Sequence, residues 1–175
     1  GGLDFWAIKV DSNGNKIWDT TLGGSNHEEA ASIISTTDGG FLLGGSTISL
    51  SGFNVTTSTR GGSDFWIVKI DSLGNYQWDR TFGGNLDDKL TSIIPTQDGN
   101  LLLSGVSSSP ISGDRTAFSR GSSDIWLIKI DPQGNKIWDK EHLHENEFPK
   151  IFPFSAFNPD TVTGHFKRDK NGNPI

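Results

Sequence analysis

Apolar and polar positions alternate along short stretches of this chain with the two-residue period of β-strands. The segment 64–70 is the clearest case. Its apolar side chains form two faces, with Trp66, Val68 and Ile70 on one side and Phe65 and Ile67 on the other. A strand that is apolar on both faces is typical of a sheet covered by a layer on each side. The pattern therefore predicts a sheet packed between two others.

The same stretch of chain predicts three more strands, at 76–82, 90–96 and 101–107. Asp71-Ser72-Leu73-Gly74-Asn75 joins the first two strands and is typical of a type I turn that is closed by a glycine at positive φ. Asp98-Gly99 joins the last two. Because no segment has a helical period, each unit is predicted as four antiparallel strands.

This unit recurs with a period of 60 residues. Residues 1–60 and 61–120 align without a gap and share 27 identical positions, and residues 121–140 match residues 1–20 at 12 positions. The tryptophans fall in register as two sets: Trp6, Trp66 and Trp126, and Trp18, Trp78 and Trp138. A unit with two apolar faces cannot bury both of them alone, so the copies are expected to stack.

Stacked, twisted sheets of this kind favour an all-β, β-propeller-like fold with four-stranded antiparallel blades, and a β-solenoid is the alternative packing. With the Ser-Ile-Ile strand innermost, the register makes 1–22 the outer half of a blade and 27–82 and 87–142 complete blades. Residues 143–175 are then a divergent, shortened partial repeat or a linker. Because propellers close with 4–8 blades, we expect an incomplete ring, either a fragment or a module completed by self-association or by further blades of the same polypeptide.

The motifs of the repeat are similar to a known repeat type. They are Gly-Gly-Ser-Asp-Phe-Trp-Ile-Val-Lys-Ile-Asp-Ser-Leu-Gly-Asn at 61–75, Trp-Asp-Arg-Thr-Phe-Gly-Gly at 78–84 and Thr-Gln-Asp-Gly-Asn-Leu-Leu-Leu-Ser-Gly at 96–105. They resemble the propeller-like repeats of large secreted and cell-surface proteins of Bacteroidetes-type bacteria, many of which are exported by type IX secretion. The resemblance covers about residues 1–140 and implies an extracellular scaffold or binding module on the bacterial outer surface, with no catalytic residues to transfer.

Composition narrows the choice of partners. The chain has 15 basic and 21 acidic residues and a formal net charge of -6, which argues against nucleic acid and anionic membranes. It has no apolar run near the roughly 18 residues that a membrane helix needs. The absence of cysteine excludes disulfides and thiolate metal sites. We expect no cofactor and no membrane span.

Two motifs have a chemical interpretation that their context disfavours. Asp11-Ser12-Asn13-Gly14-Asn15 resembles the start of a calcium-binding EF-hand loop, but Lys16 and Leu22 stand where that loop needs glycine and glutamate. The Trp-Asp dipeptides resemble those of WD40 blades, but the Gly-His pair and the period of 40–45 residues are missing. We therefore interpret both motifs as structural.

Metal binding and catalysis find little support in the sequence. His142 and His144 alternate on a predicted strand near acidic residues, but the repeat anchors no third ligand, so we predict no metal site. There is no Gly-x-Ser-x-Gly motif, and Asp87-Asp88 are neighbours in sequence whose carboxylates need not converge as those of a glycosidase do. The chain is predicted not to be an enzyme.

The variable length of the repeat lies at one end of the predicted sheets. Antiparallel connections alternate between the two ends, so 46–63 and 106–123 share one end with the acidic segments 25–29 and 85–89. Loops held on a rigid scaffold are the usual place for binding. The candidate ligand-binding residues on this long-loop face are His27, Glu28, Phe53, Arg60, Asp87, Asp88, Arg115, Phe118 and Arg120. Alternatively, Arg60 and Arg120 hold each loop to its own blade.

These observations predict a non-enzymatic, extracellular binding or scaffold module with a glycan or protein ligand on the long-loop face. One alternative is an accessory domain of a surface polysaccharide-degrading enzyme whose catalytic residues lie outside this chain. Another is a structural repeat of a surface adhesin.

Overall fold

The computed structural model describes residues 2–119 and 121–141, and all of their regular secondary structure is β-strand. The strands are β1 (Phe5–Val10), β2 (Lys16–Leu22), β3 (Glu28–Ser35), β4 (Phe41–Thr47), β5 (Asp64–Ile70), β6 (Tyr76–Phe82), β7 (Asp88–Pro95), β8 (Leu101–Ser107), β9 (Asp124–Ile130) and β10 (Lys136–Glu141). The predicted all-β class is confirmed. The predictions for Arg120, for His142 and His144, and for 143–175 lie outside the described residues.

The strands form three antiparallel sheets in which each strand pairs with its neighbour in the chain. We call β1 and β2 the N-terminal hairpin, β3 to β6 the central sheet and β7 to β10 the distal sheet. Strand β7 begins two residues earlier than the sequence predicts, because Asp88 pairs with Ser107 and its backbone N–H donates to the Ser63 carbonyl at 2.6 Å. Antiparallel pairing is confirmed throughout these sheets.

The Asp-x-x-Gly-Asn turns are built around the aspartate carboxylate. Asp71 accepts hydrogen bonds from the backbone N–H groups of Leu73 at 2.8 Å and Asn75 at 2.9 Å, and also from the Asn75 side chain. These bonds lower the pKa of Asp71, the side-chain bond from Asn75 most of all. Gly74 has φ 86°, in the region that favours glycine. The turn interpretation is confirmed, and the carboxylate oxygens are occupied by the turn itself.

Strand β5 is buried along its whole length. Its Phe65 and Ile67 pack in one apolar cluster with residues of the distal sheet, and Trp66 and Val68 pack in a second cluster with the N-terminal hairpin. The Trp66 indole donates to the carboxylate of Asp79 at 2.9 Å, which satisfies its buried N–H. The predicted packing of this strand between two layers is confirmed.

Candidate functional site

The loops between the sheets contact one another at one end of the described sheets. Residues 23–27 contact residues 48–63, since the Asn54 N–H donates to the Gly23 carbonyl at 3.0 Å and the Ile48 N–H to the His27 carbonyl at 3.1 Å. Residues 83–87 contact the following long loop in the same way, through a bond of 2.9 Å from the Asp114 N–H to the Gly83 carbonyl. These four loops form the long-loop face.

Phe53 stands at the tip of the first long loop. Gly52 and Val55 exchange backbone hydrogen bonds of 3.0 Å and so close a tight turn around it. The backbone of Phe53 has φ 50°, which is unfavourable for a residue with a Cβ, and its side chain is 89% exposed. Gly113, one repeat later, holds the same place in its turn with φ 57°. The turn thus needs a left-handed residue, and the chain places an aromatic ring there.

Glu28 anchors the loop behind Phe53. Its carboxylate accepts hydrogen bonds from the hydroxyls of Thr47 at 2.7 Å and Ser49 at 2.6 Å and from the Gly24 N–H at 2.9 Å. Asp88 does the same in the next repeat, accepting from the Gly84 N–H and the Ser109 hydroxyl. Both carboxylates are buried. These two candidate ligand contacts therefore hold the loops from inside and do not face solvent.

The described arginines among the candidates are also engaged within the protein. The Arg60 guanidinium pairs with the Asp114 carboxylate at 2.6 Å and so links its loop to the loop of the following repeat. The alternative prediction, that Arg60 holds the loop to its own blade, does not describe this ion pair. Arg115 is 1% exposed. Its guanidinium donates to the Ser107 carbonyl and lies 3.3 Å from the Asp124 carboxylate. Arg115 occupies the interior position that Val55 fills in the preceding repeat and is not available to a ligand in this structure.

Five of the candidate residues are exposed: His27, Phe53, Arg60, Asp87 and Phe118. Asp87 is oriented by hydrogen bonds from the backbone and hydroxyl of Ser63. The sequence did not single out the exposed aliphatic side chains of the same face, which are Ile48, Leu50, Leu86 and Ile111. A single aliphatic residue in a Ser- and Thr-rich loop gives no sign of whether it points inward, so no sequence signal separates them. The accessible surface of this face therefore combines exposed aromatic and aliphatic side chains with polar and charged ones.

Asp64 lies beneath this face and has a strongly raised pKa. It is fully buried, and its Oδ2 accepts the Arg60 N–H at 2.9 Å, while its Oδ1 has no hydrogen-bond partner among the described residues. Burial raises the pKa of Asp64 to about 7, and the nearby Asp88 and Asp114 carboxylates act in the same direction. Burial also raises the pKa of Asp114.

Other chemistry is sparse in the part of the chain that the structure describes. No three histidine, cysteine or acidic side chains lie close enough there to hold a metal ion. A cleft of about 300 Å³ lies between β3 and β7, lined by Glu29, Lys89, Ala30 and their neighbours. Within residues 2–119 and 121–141 there is also no helix of the length and hydropathy that a membrane crossing requires.

No family model matches the chain. The chain is similar to Regulatory protein FlaEY of Caulobacter vibrioides, with 24% identity over 140 residues. The match covers 77% of this chain and 15% of that protein. The chain thus spans a small fraction of the relative's length.

Proposed function

We propose that this chain is a non-enzymatic binding or scaffold module of the β-propeller type, which acts outside the cell or on a bacterial outer surface and takes a glycan or protein ligand on the long-loop face. Two four-stranded antiparallel sheets that stack face to face in a fixed register support the propeller architecture. The resemblance of the repeat to those of secreted and surface proteins supports the location.

Phe53 is the observation that carries the binding role. Its left-handed backbone costs about 1–2 kcal/mol relative to glycine, and its ring, 89% exposed, recovers almost none of this by burial. The fold does not require the ring, because Gly113 makes the equivalent turn. Strain kept at an exposed aromatic residue is a recognised sign of function. A ligand that covers the ring would supply the missing burial.

The surroundings of Phe53 fit such a ligand. The hydrogen bonds from Asn54 to Gly23 and from Asn26 to Ser49 fix the loop against residues 23–27, so that binding costs little conformational entropy. The aromatic ring can stack on the apolar face of a sugar or enter an apolar pocket of a protein. The exposed Asp87 and His27 provide polar contacts at the margin.

The test is a paired substitution in which each residue is replaced by its counterpart in the other repeat. Wild type is first screened on a glycan array and against purified bacterial surface proteins. Phe53→Gly is expected to lower the affinity for the ligand found in this screen at least tenfold, because it removes the central contact. Leu73→Asn removes an apolar side chain that is 70% exposed, in a hairpin turn outside the long-loop face, and should leave binding unchanged.

A loss of binding in Phe53→Gly should not be caused by a loss of stability. Phe53→Gly is expected to unfold in urea at the same or a slightly higher concentration, since the strain is relieved. Unchanged binding by Phe53→Gly, or turnover of a polysaccharide by the wild-type chain, would contradict the proposal.

A further inference from the structure

The chain contains one sheet-to-sheet interface twice. Phe5 of the N-terminal hairpin contacts Trp66 of the central sheet with ring centroids 4.7 Å apart and planes inclined at 51°. Phe65 of the central sheet contacts Trp126 of the distal sheet with centroids 5.0 Å apart and planes at 50°. The two contacts are 60 residues apart at both partners. The interface is therefore a reproducible property of the repeat.

A second contact repeats at the same two junctions. The ring of Trp18 lies on Gly74, where an added Cβ would be 3.0 Å from Trp18 Cε3. The ring of Trp78 lies on Gly134 in the same way, with a distance of 2.8 Å to Trp78 Cζ3. The Trp18 indole also donates to the Ser72 carbonyl across the junction at 3.0 Å. Trp18 and Trp78 thus each cover the turn glycine of the next sheet.

The outer face of the N-terminal hairpin carries the receiving half of this interface without an occupant among the described residues. Trp6 is 64% exposed, whereas Trp66 and Trp126 are 0% exposed. Ile8 and Val10 beside it are exposed as well. Gly14 has the same positive φ as Gly74 and Gly134, but nothing lies within 4 Å of the place of its Cβ. The Trp6 indole is already held by Asp19 at 3.2 Å, as Trp66 is held by Asp79.

The outer face of the distal sheet carries the inserting half. Ile125 occupies the position of Phe5 and Phe65, and it is 51% exposed where those rings are buried. Trp138 occupies the position of Trp18 and Trp78. The two outer faces are therefore different from each other and complementary.

We propose that the distal sheet of one copy of this chain docks on the N-terminal hairpin of a second copy, with Ile125 on Trp6 and Trp138 over Gly14. The arrangement continues the interface that the chain already makes twice. It is heterologous, so each copy offers one inserting and one receiving face, and assembly leads to a ring or a filament. It does not depend on the ligand proposed for the long-loop face.

Light scattering on a sizing column tests this with the full chain. Wild type is expected to elute above 19.0 kDa, at a multiple of that mass. Trp6→Lys and Ile125→Lys each block one face and are expected at 19.0 kDa. An equimolar mixture of the two variants should give a dimer and nothing larger, because one intact face of each kind remains.

Controls separate docking from folding and from the ligand site. Circular dichroism melts check that both variants fold, and Ile8→Lys repeats the block at a second residue of the hairpin face. Phe53→Lys changes the long-loop face and should leave the mass at the wild-type value. A wild-type mass of 19.0 kDa at every concentration, or a mixture that stays monomeric, would overturn the proposal. So would a Trp6→Lys variant that melts much earlier without any change in mass, since another part of the same chain would then cover that face.

Discussion

At the scale of single residues, the buried acid Asp64 makes stability depend on pH in an unusual direction. Its pKa is about 7 in the folded state and close to the ordinary 3.8 in the unfolded chain, so the folded state holds the proton more tightly. The stabilisation is complete below about pH 4 and is lost as the pH rises through 7. Seven described aspartates have a lowered pKa and act in the opposite direction. Asp139 is an example. Burial acts to raise its pKa, but the hydrogen bonds that Lys136 and Thr116 donate to its carboxylate lower the pKa to about 2.

We expect the free energy of unfolding to fall between pH 4 and pH 7 by up to about 1.4 kcal/mol per pH unit. Asp64→Asn, which has no proton to lose, should flatten this slope relative to wild type. Urea unfolding of the two proteins at half-unit pH steps measures the difference. An unchanged slope in Asp64→Asn would show that another group, such as Asp114, is responsible.

The same residues show how far the sequence could define the site. Phe53 and Phe118 were identified as aromatic residues of the long-loop face, and both are exposed. The burial of Glu28 and Arg115 could not be predicted, since it depends on how the loop turns back over its own sheet. Arg115 replaces Val55 in the register, and the carboxylates of Asp124 and Glu141 explain why a charge is tolerated there. Repeat position predicted the place of a side chain but not its environment.

At the scale of the element, the turn glycines form a matched experiment. Gly14 and Gly134 have φ 83° and 82° in the same turn motif, so alanine costs the same backbone strain at both, about 1–2 kcal/mol. Only Gly134 lies under a tryptophan, with Trp78 carbons 2.8 and 2.9 Å from the place of its Cβ. Gly134→Ala should therefore cost a further 1–3 kcal/mol for the forced displacement of the ring.

Urea unfolding of the two alanine variants, at a concentration where the chain is monomeric, measures the difference. Equal losses of stability would mean that the ring moves aside freely and that the contact between Trp78 and Gly134 contributes nothing to the stacking of the sheets.

Strands and turns were accessible to sequence reasoning because their determinants are local. The alternation in 64–70 and the Asp-x-x-Gly-Asn turn each act within a few residues, and both predictions are confirmed. The start of β7 was missed because Asp88 joins the strand through a hydrogen bond to Ser63, which lies in the loop before β5. Such contacts leave no pattern along the chain.

At the scale of the whole molecule, three strands with similar sequences occupy three different environments. Strand β5 is paired on both edges and buried on both faces, and β9 is paired on both edges with its outer face partly exposed. Strand β1 is paired only with β2 in the part of the chain described, and Trp6 and Ile8 on its outer face are exposed. All three strands share an aspartate, then Phe or Ile, then a tryptophan, with a lysine three residues after the tryptophan. Their intrinsic strand propensities are therefore nearly the same.

Differences in amide hydrogen exchange rate among these strands therefore reflect how far each strand is covered by a neighbouring sheet. In the Trp6→Lys variant, kept monomeric by design, we expect amide protection to decrease from β5 to β9 to β1, with the N-terminal hairpin opening at least ten times more often than β5. The hairpin buries one face against the central sheet, so it can detach without exposing the core between the central and distal sheets. Equal protection in β1 and β5 would instead mean that the three sheets unfold as one cooperative unit. In wild type above the association threshold, docking of Ile125 on Trp6 should raise the protection of β1 selectively, because the second copy gives this strand the covered face that β5 already has.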